Sequence, residues 1–142
     1  HPETLIWVGN LARLLQAQGK LDEAEPLFLR DLEGSEATLG ALHLNTLVAV
    51  SNLAGLLQAQ GKLDAAEPLR RRVVEGFAAT LGADHRNTVY TRGYLGSLLM
   101  LLPSQEAEGT AMVRDALATL SAPPHSLPPA HPWIKKFSAL VN

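Results

Sequence analysis

The sequence predicts an all-α fold: a right-handed α-solenoid of antiparallel helix pairs, three pairs followed by a C-terminal helix. Three observations carry that expectation. The 142-residue chain falls on itself when shifted by about 42 residues, which marks it as a repeat array. Within each repeat the apolar residues recur at steps of three and four, the period of one helix face. The phrase "LLQAQGKLD" stands twice, at 14–22 and 56–64, with a glycine at the same place each time. A lone helix pair cannot bury its apolar stripes, whereas like pairs stacked side by side make a continuous core.

The first repeat spans 1–42. Its first helix is expected over 3–18, with Leu5, Val8, Leu11, Ala12 and Leu15 as the inward stripe. Gly19 ends it, because glycine enters the left-handed conformation without a Cβ clash. The second helix is expected to start at Asp22 as N-cap and to stop at Gly40. It turns Leu21, Ala24, Leu27, Phe28 and Leu32 inward, with Pro26 near its first turn, where a missing N–H costs least. Repeat 2 spans 43–84 and keeps the punctuation at Gly61, Asp64, Pro68 and Gly82. About 28 of the first 42 positions are identical in it, so both copies should fold alike. Ala24 and Ala66 are small where helices cross closely.

Repeat 3 spans 85–120 and is degenerate. "NTVYTRGYLGSLL" follows the pattern, then Pro103 replaces the glycine as breaker and Ser104 is placed to cap the next helix. The proline-rich stretch 121–132 reads as a stiff, extended connector. A short amphipathic helix over 133–141 has Trp133, Ile134, Phe137, Leu140 and Val141 on its apolar side. It caps the last pair or opens a fourth copy at His131-Pro132, which echoes His1-Pro2. All of 1–142 is expected to form one domain.

Composition narrows the function. Net charge is −2, without the basic face that nucleic acid asks for. Arg70-Arg71-Arg72 lie on a second helix and fan out around it. They read as a solvated surface with i,i+4 pairing to Glu67 or Glu75. No stretch approaches the apolar run of a membrane span. There is no cysteine, hence no disulfide, Cys-ligated zinc or thiol nucleophile, in keeping with an intracellular, cytoplasmic setting. The chain opens at His1 rather than Met and reads as a piece of a longer polypeptide. His1, His43 and His85 recur once per repeat, about 10 Å apart by helix-packing distances. They are too far apart to share a metal ion and are expected to hydrogen-bond the adjoining helix ends. No cofactor is called for. The sequence has no nucleophile elbow, zinc-protease motif, phosphate loop or dinucleotide fingerprint, so a non-enzyme is expected.

The unit "NLAxLLxxQGKxxEAEPL…R…LG…H" resembles the tetratricopeptide repeat in its longer form, as found in kinesin light chains. Leu11, Ala12, Leu15, Gly19, Ala24 and Phe28 match that family's structural positions, as do Leu53, Ala54, Leu57, Gly61 and Ala66. The resemblance covers about 2–120. It implies a scaffold that binds an extended peptide segment in a concave groove lined by the first helix of each pair. The alternative is a structural spacer or self-association module with no peptide ligand.

Off the packing stripe, the groove-facing residues are expected to be Ile6, Gly9, Asn10, Arg13 and Gln16 in repeat 1, and Val48, Ser51, Asn52, Gly55 and Gln58 in repeat 2. Tyr90 and Tyr94 take that place in repeat 3. Amides can pair with both N–H and C=O of an extended chain, and the resemblance assigns that role to Asn10 and Asn52. Gly9, Gly55 and Gly93 are expected to leave room for a guest. Arg13 and Arg92 favour an acidic partner, since Arg grips carboxylates in bidentate fashion. No nucleic acid and no membrane partner is expected, and uncovered repeat ends favour self-association.

Overall fold

The computed structural model describes residues 2–142, and among them every regular element is helical. The helices are α1 (Pro2–Ala17), α2 (Leu21–Leu39), α3 (Leu44–Ala59), α4 (Leu63–Leu81), α5 (Arg86–Leu99), α6 (Glu106–Ser121) and α7 (Pro132–Val141). They group into two compact units, 1–76 and 77–142, with the boundary inside α4.

The duplicated phrase makes the same turn twice in unit 1. Gly19 and Gly61 both stand at φ +77°. Around the first, the Gly19 N–H donates to the Gln16 carbonyl at 3.0 Å and the Lys20 N–H to the Leu15 carbonyl at 2.8 Å. Around the second, Gly61 donates to Gln58 and Lys62 to Leu57 at the same distances. This nested pair satisfies two orphan carbonyls at the helix end, and the left-handed residue at its centre favours glycine.

The other ends differ from expectation. α2 begins at Leu21 after Lys20, which makes no side-chain cap. Asp22 therefore lies inside the first turn, where a carboxylate still favours the helix dipole. Pro26 is deeper than its predicted place, the sixth residue of α2. Ser104 does not cap α6; Gln105 holds that position, and its side chain does not cap the helix. Histidine does the capping instead. The Nδ1 atoms of His43, His85 and His131 accept the N–H of Asn45, Asn87 and Trp133, each at 3.1 Å. His1 lies outside the described residues.

In unit 1, α2 packs against both α1 and α3. Ala12, Ala24, Phe28, Leu47, Val50, Ala54 and Ala66 are sealed from solvent. Gly34 and Gly76 occupy the same repeat position, and a Cβ at either would collide with Leu5 or Leu47. Leu11 departs from its predicted stripe and is 48% exposed. Its counterpart Leu53 is buried. Arg70 also overturns its assignment to the solvated surface. It takes the repeat position of Phe28 and is 6% exposed. Its neighbours do follow the surface reading. Arg71 pairs with Glu67 at 2.9 Å, the expected i,i+4 bridge, and Arg72 reaches Glu36 at 2.6 Å.

In unit 2, α5 and α6 cross at Gly96 and Gly109, and α7 lies mainly on α6. Val89, Val113, Ala116, Leu120, Leu127, Ile134 and Phe137 form the core. The connector before α7 is not extended. The Ser126 N–H bonds the Ala122 carbonyl and the Leu127 N–H the Leu120 carbonyl, both at 2.8 Å. These turns fold the stretch back and bury Leu127. Leu140, predicted on the apolar face of α7, is 40% exposed.

Candidate functional site

Unit 1 contains a cleft of about 340 Å³ between α1, α2 and α3. Ile6, Asn10 and Arg13 follow one another at four- and three-residue steps on α1, and Asn45, Val48 and Asn52 do so on α3. Such spacing sets each trio on one helix face, and both faces line the cleft. Ile6 and Val48 remain exposed, so its mouth is apolar with amide and guanidinium groups beside it.

Asp31 reaches the cleft from α2 beside Gly9. A Cβ on Gly9 would stand 3.0 Å from Asp31 Oδ2, so the missing side chain on α1 lets the carboxylate lie close without shifting. Among the described residues, the hydrogen bond to Asp31 comes from the Ser35 hydroxyl, at 3.4 Å. Burial pushes the Asp31 carboxyl above its usual 3.8, and the Ser35 bond works the other way. A raised folded-state pKa means that protonation favours folding. The stability linked to that proton is complete below the unfolded value and is lost as pH rises through the folded one. Asp31→Asn is therefore expected to raise Tm at pH 7, with the gain vanishing near pH 3. Thermal unfolding at the two pH values checks this.

The structure gathers Asn10, Arg13 and Asn52 into this one cleft. Gln16 is half-buried on α1 and lies outside its lining. Ser51 and Gln58 are held by buried Arg70, whose Nη1 donates to Ser51 Oγ at 2.9 Å and whose Nε donates to Gln58 Oε1 at 2.8 Å. Tyr90 and Tyr94 belong to unit 2 and are engaged there. Tyr90 stacks on Trp133 with centroids 4.2 Å apart, and the Lys136 ammonium sits 3.6 Å from the Tyr94 centroid. Arg92 contacts Asp115 at 3.7 Å and donates to the Ala83 carbonyl at 2.9 Å.

The expected guest space at two glycines is taken by the protein itself. A Cβ at Gly93 would press on Phe137 and Ala116, and one at Gly55 would lie in ordinary contact with the Arg70 guanidinium, 3.5 Å away. Asp31 and Asn45 were missed by the groove-face pattern. The signal for Asp31 was present where two near-identical copies disagree, since its repeat partner is Val73. Among the described residues, no group of His, Asp and Glu side chains is arranged to hold a metal ion.

Residues 3–67 match the family model of the tetratricopeptide repeat. Among solved structures, the chain is similar to the nearly identical TPR-like repeats of a protein assigned as a kinesin light chain from Podosopora anserina. The TM-score is 0.84 at 25% identity, over 99% of this chain and 65% of that one. Residues 3–67 are thus similar to the tetratricopeptide repeat, and the fold of the chain is similar to repeats of the kinesin light chain type. A point variant of the Podosopora anserina protein superposes with the same TM-score and coverage at 24% identity. BtubC (BKLC) from P. vanneervenii shares the fold, with a TM-score of 0.79 at 19% identity over 94% of this chain and 52% of that one. The chain thus spans less than two thirds of the length of these relatives. No protein of curated function matches it in sequence. Tetratricopeptide repeats form an all-α solenoid of helix pairs, a fold that generally mediates protein–protein interaction and typically serves as a non-enzymatic scaffold. No helix among the described residues is long and apolar enough to cross a membrane.

Proposed function

We propose that the chain is a non-catalytic scaffold that holds an extended segment of a partner protein in the cleft of unit 1. The observation that carries this reading is the convergence of Asn10 and Arg13 from α1 with Asn52 from α3 on one open cleft. The two amides offer donors and acceptors to a partner backbone. Arg13 is exposed and offers a fork to a partner carboxylate, which supports an acidic residue in the bound segment. The proposal keeps 1–142 as one repeat domain acting inside a cell.

Display of random peptides on the intact chain tests it. Enriched peptides are expected to lose about tenfold in affinity on Asn52→Ala, the worth of a buried hydrogen-bond pair. Enriched peptides that bind the variant as tightly as the wild type would place binding outside the cleft.

The second reading, self-association, is favoured by one feature of α1. Trp7, Leu11 and Leu14 form an exposed apolar stripe, whereas their repeat counterparts Ala49, Leu53 and Leu56 are buried. A stripe of this kind accepts a packed helix. Sedimentation equilibrium should then show concentration-dependent dimers that Trp7→Glu abolishes. A wild type that stays monomeric removes this reading.

A further inference from the structure

The apolar mouth of the unit 1 cleft and the carboxylate within it are matched to one kind of side chain. A carboxylate has about four acceptor sites, and Asp31 has one long hydrogen bond among the described residues. Arg13 lies one turn along α1 from Gly9, yet no ion pair within 4 Å joins it to Asp31. The carboxylate is therefore partly removed from water without a compensating cation. That arrangement favours an incoming positive charge more than a surface aspartate would, since charges interact more strongly as water is excluded. Ile6 and Val48 stand exposed at the same opening. Long cationic side chains lay an aliphatic stem on such surface and carry a charged head beyond it. The cleft volume of about 340 Å³ lies at the low end of ligand pockets, about 300–1,000 Å³. It suits one or two side chains rather than a whole folded element.

We propose that Asp31 forms a subsite for one lysine or arginine side chain of the bound partner segment, its head on the carboxylate and its stem along Ile6 and Val48. This inference rests on the peptide-holding function above and adds a specificity to it. Gly9 is a positioning residue, because a Cβ there would crowd the Asp31 carboxylate from 3.0 Å away.

The test starts from peptides selected on the intact chain. Each Lys or Arg in them is replaced in turn by norleucine, which keeps the stem and removes the charge. On the wild type, one such exchange is expected to cost about tenfold or more in Kd, the usual worth of a charge-assisted hydrogen bond. On Asp31→Asn the same exchange should cost nothing. On Gly9→Ala, which keeps every charge and crowds Asp31, the penalty should shrink. Circular dichroism confirms that both variants fold. Enriched peptides without a cation, or an equal norleucine penalty on wild type and Asp31→Asn, would overturn the subsite and leave the groove reading standing. If no peptide enriches on folded wild type, the groove reading fails and takes the subsite with it.

Discussion

Gly109→Ala is expected to destabilise the chain by about 3 kcal/mol or more, at the severe end for a single substitution. The Cβ it adds would lie 2.5 Å from the Gly96 carbonyl oxygen and 2.6 Å from the Met100 nitrogen. Both are backbone atoms of α5 and its C-terminal end, and backbone cannot rotate aside as a side chain can. The contact is reciprocal, since a Cβ on Gly96 would stand 2.8 Å from the Gly109 carbonyl oxygen and from Met112 Cβ. Alanine would gain about 1 kcal/mol in helix propensity, too little to offset separating α5 from α6. Urea unfolding measures the loss. The same substitution at Gly34 meets only the Leu5 side chain and should cost less. A Gly109→Ala protein as stable as the parent would mean that the crossing is looser than described.

Arg70→Ala should cost about 2–4 kcal/mol, combining lost packing with two orphaned partners. Arg70 fills with its stem the position that Phe28 fills in repeat 1, and its guanidinium satisfies Ser51 and Gln58. The two repeats solve the same place differently. Repeat 1 has Phe28 with Arg13 on the first helix, and repeat 2 has Arg70 with Gly55. Arg70→Phe should accordingly cost less than Arg70→Ala, because a phenyl ring already packs at this position one repeat earlier. Equal losses for the two would show that the hydrogen bonds, not the filled volume, dominate. Thermal unfolding of the pair decides.

The repeat made the architecture legible. Gly19, Gly61, Ala24 and Ala66 recur because the same turn and the same close crossing recur, and a period of 42 exposes both without any partner being known. The histidine caps were readable for the same reason. What escaped was long-range. Arg70 looked like one member of a charged run, and only the place of Phe28 in the neighbouring copy shows that its side chain points inward. The connector looked extended from its prolines, yet burial of Leu127 outweighs that stiffness. Of the groove residues expected from spacing, Asn10, Arg13 and Asn52 share a cleft. Ser51, Gln58, Tyr90 and Tyr94 are held by Arg70, Trp133 and Lys136. Helical spacing fixes the side of a helix on which a residue lies. It does not fix which residue of another helix arrives there first. Asp31 was hidden for a related reason, since it meets Gly9 of a different helix.

The central claim is that a partner segment lies in the unit 1 cleft against Asn10 and Asn52. Titration of the isotope-labelled chain with a display-selected peptide, followed through the side-chain amide resonances of its asparagines and glutamines, tests it most directly. The account predicts saturable shifts at Asn10, Asn45 and Asn52, with Gln58 unmoved because Arg70 holds it. Saturable binding that leaves Asn10 and Asn52 unshifted would contradict it.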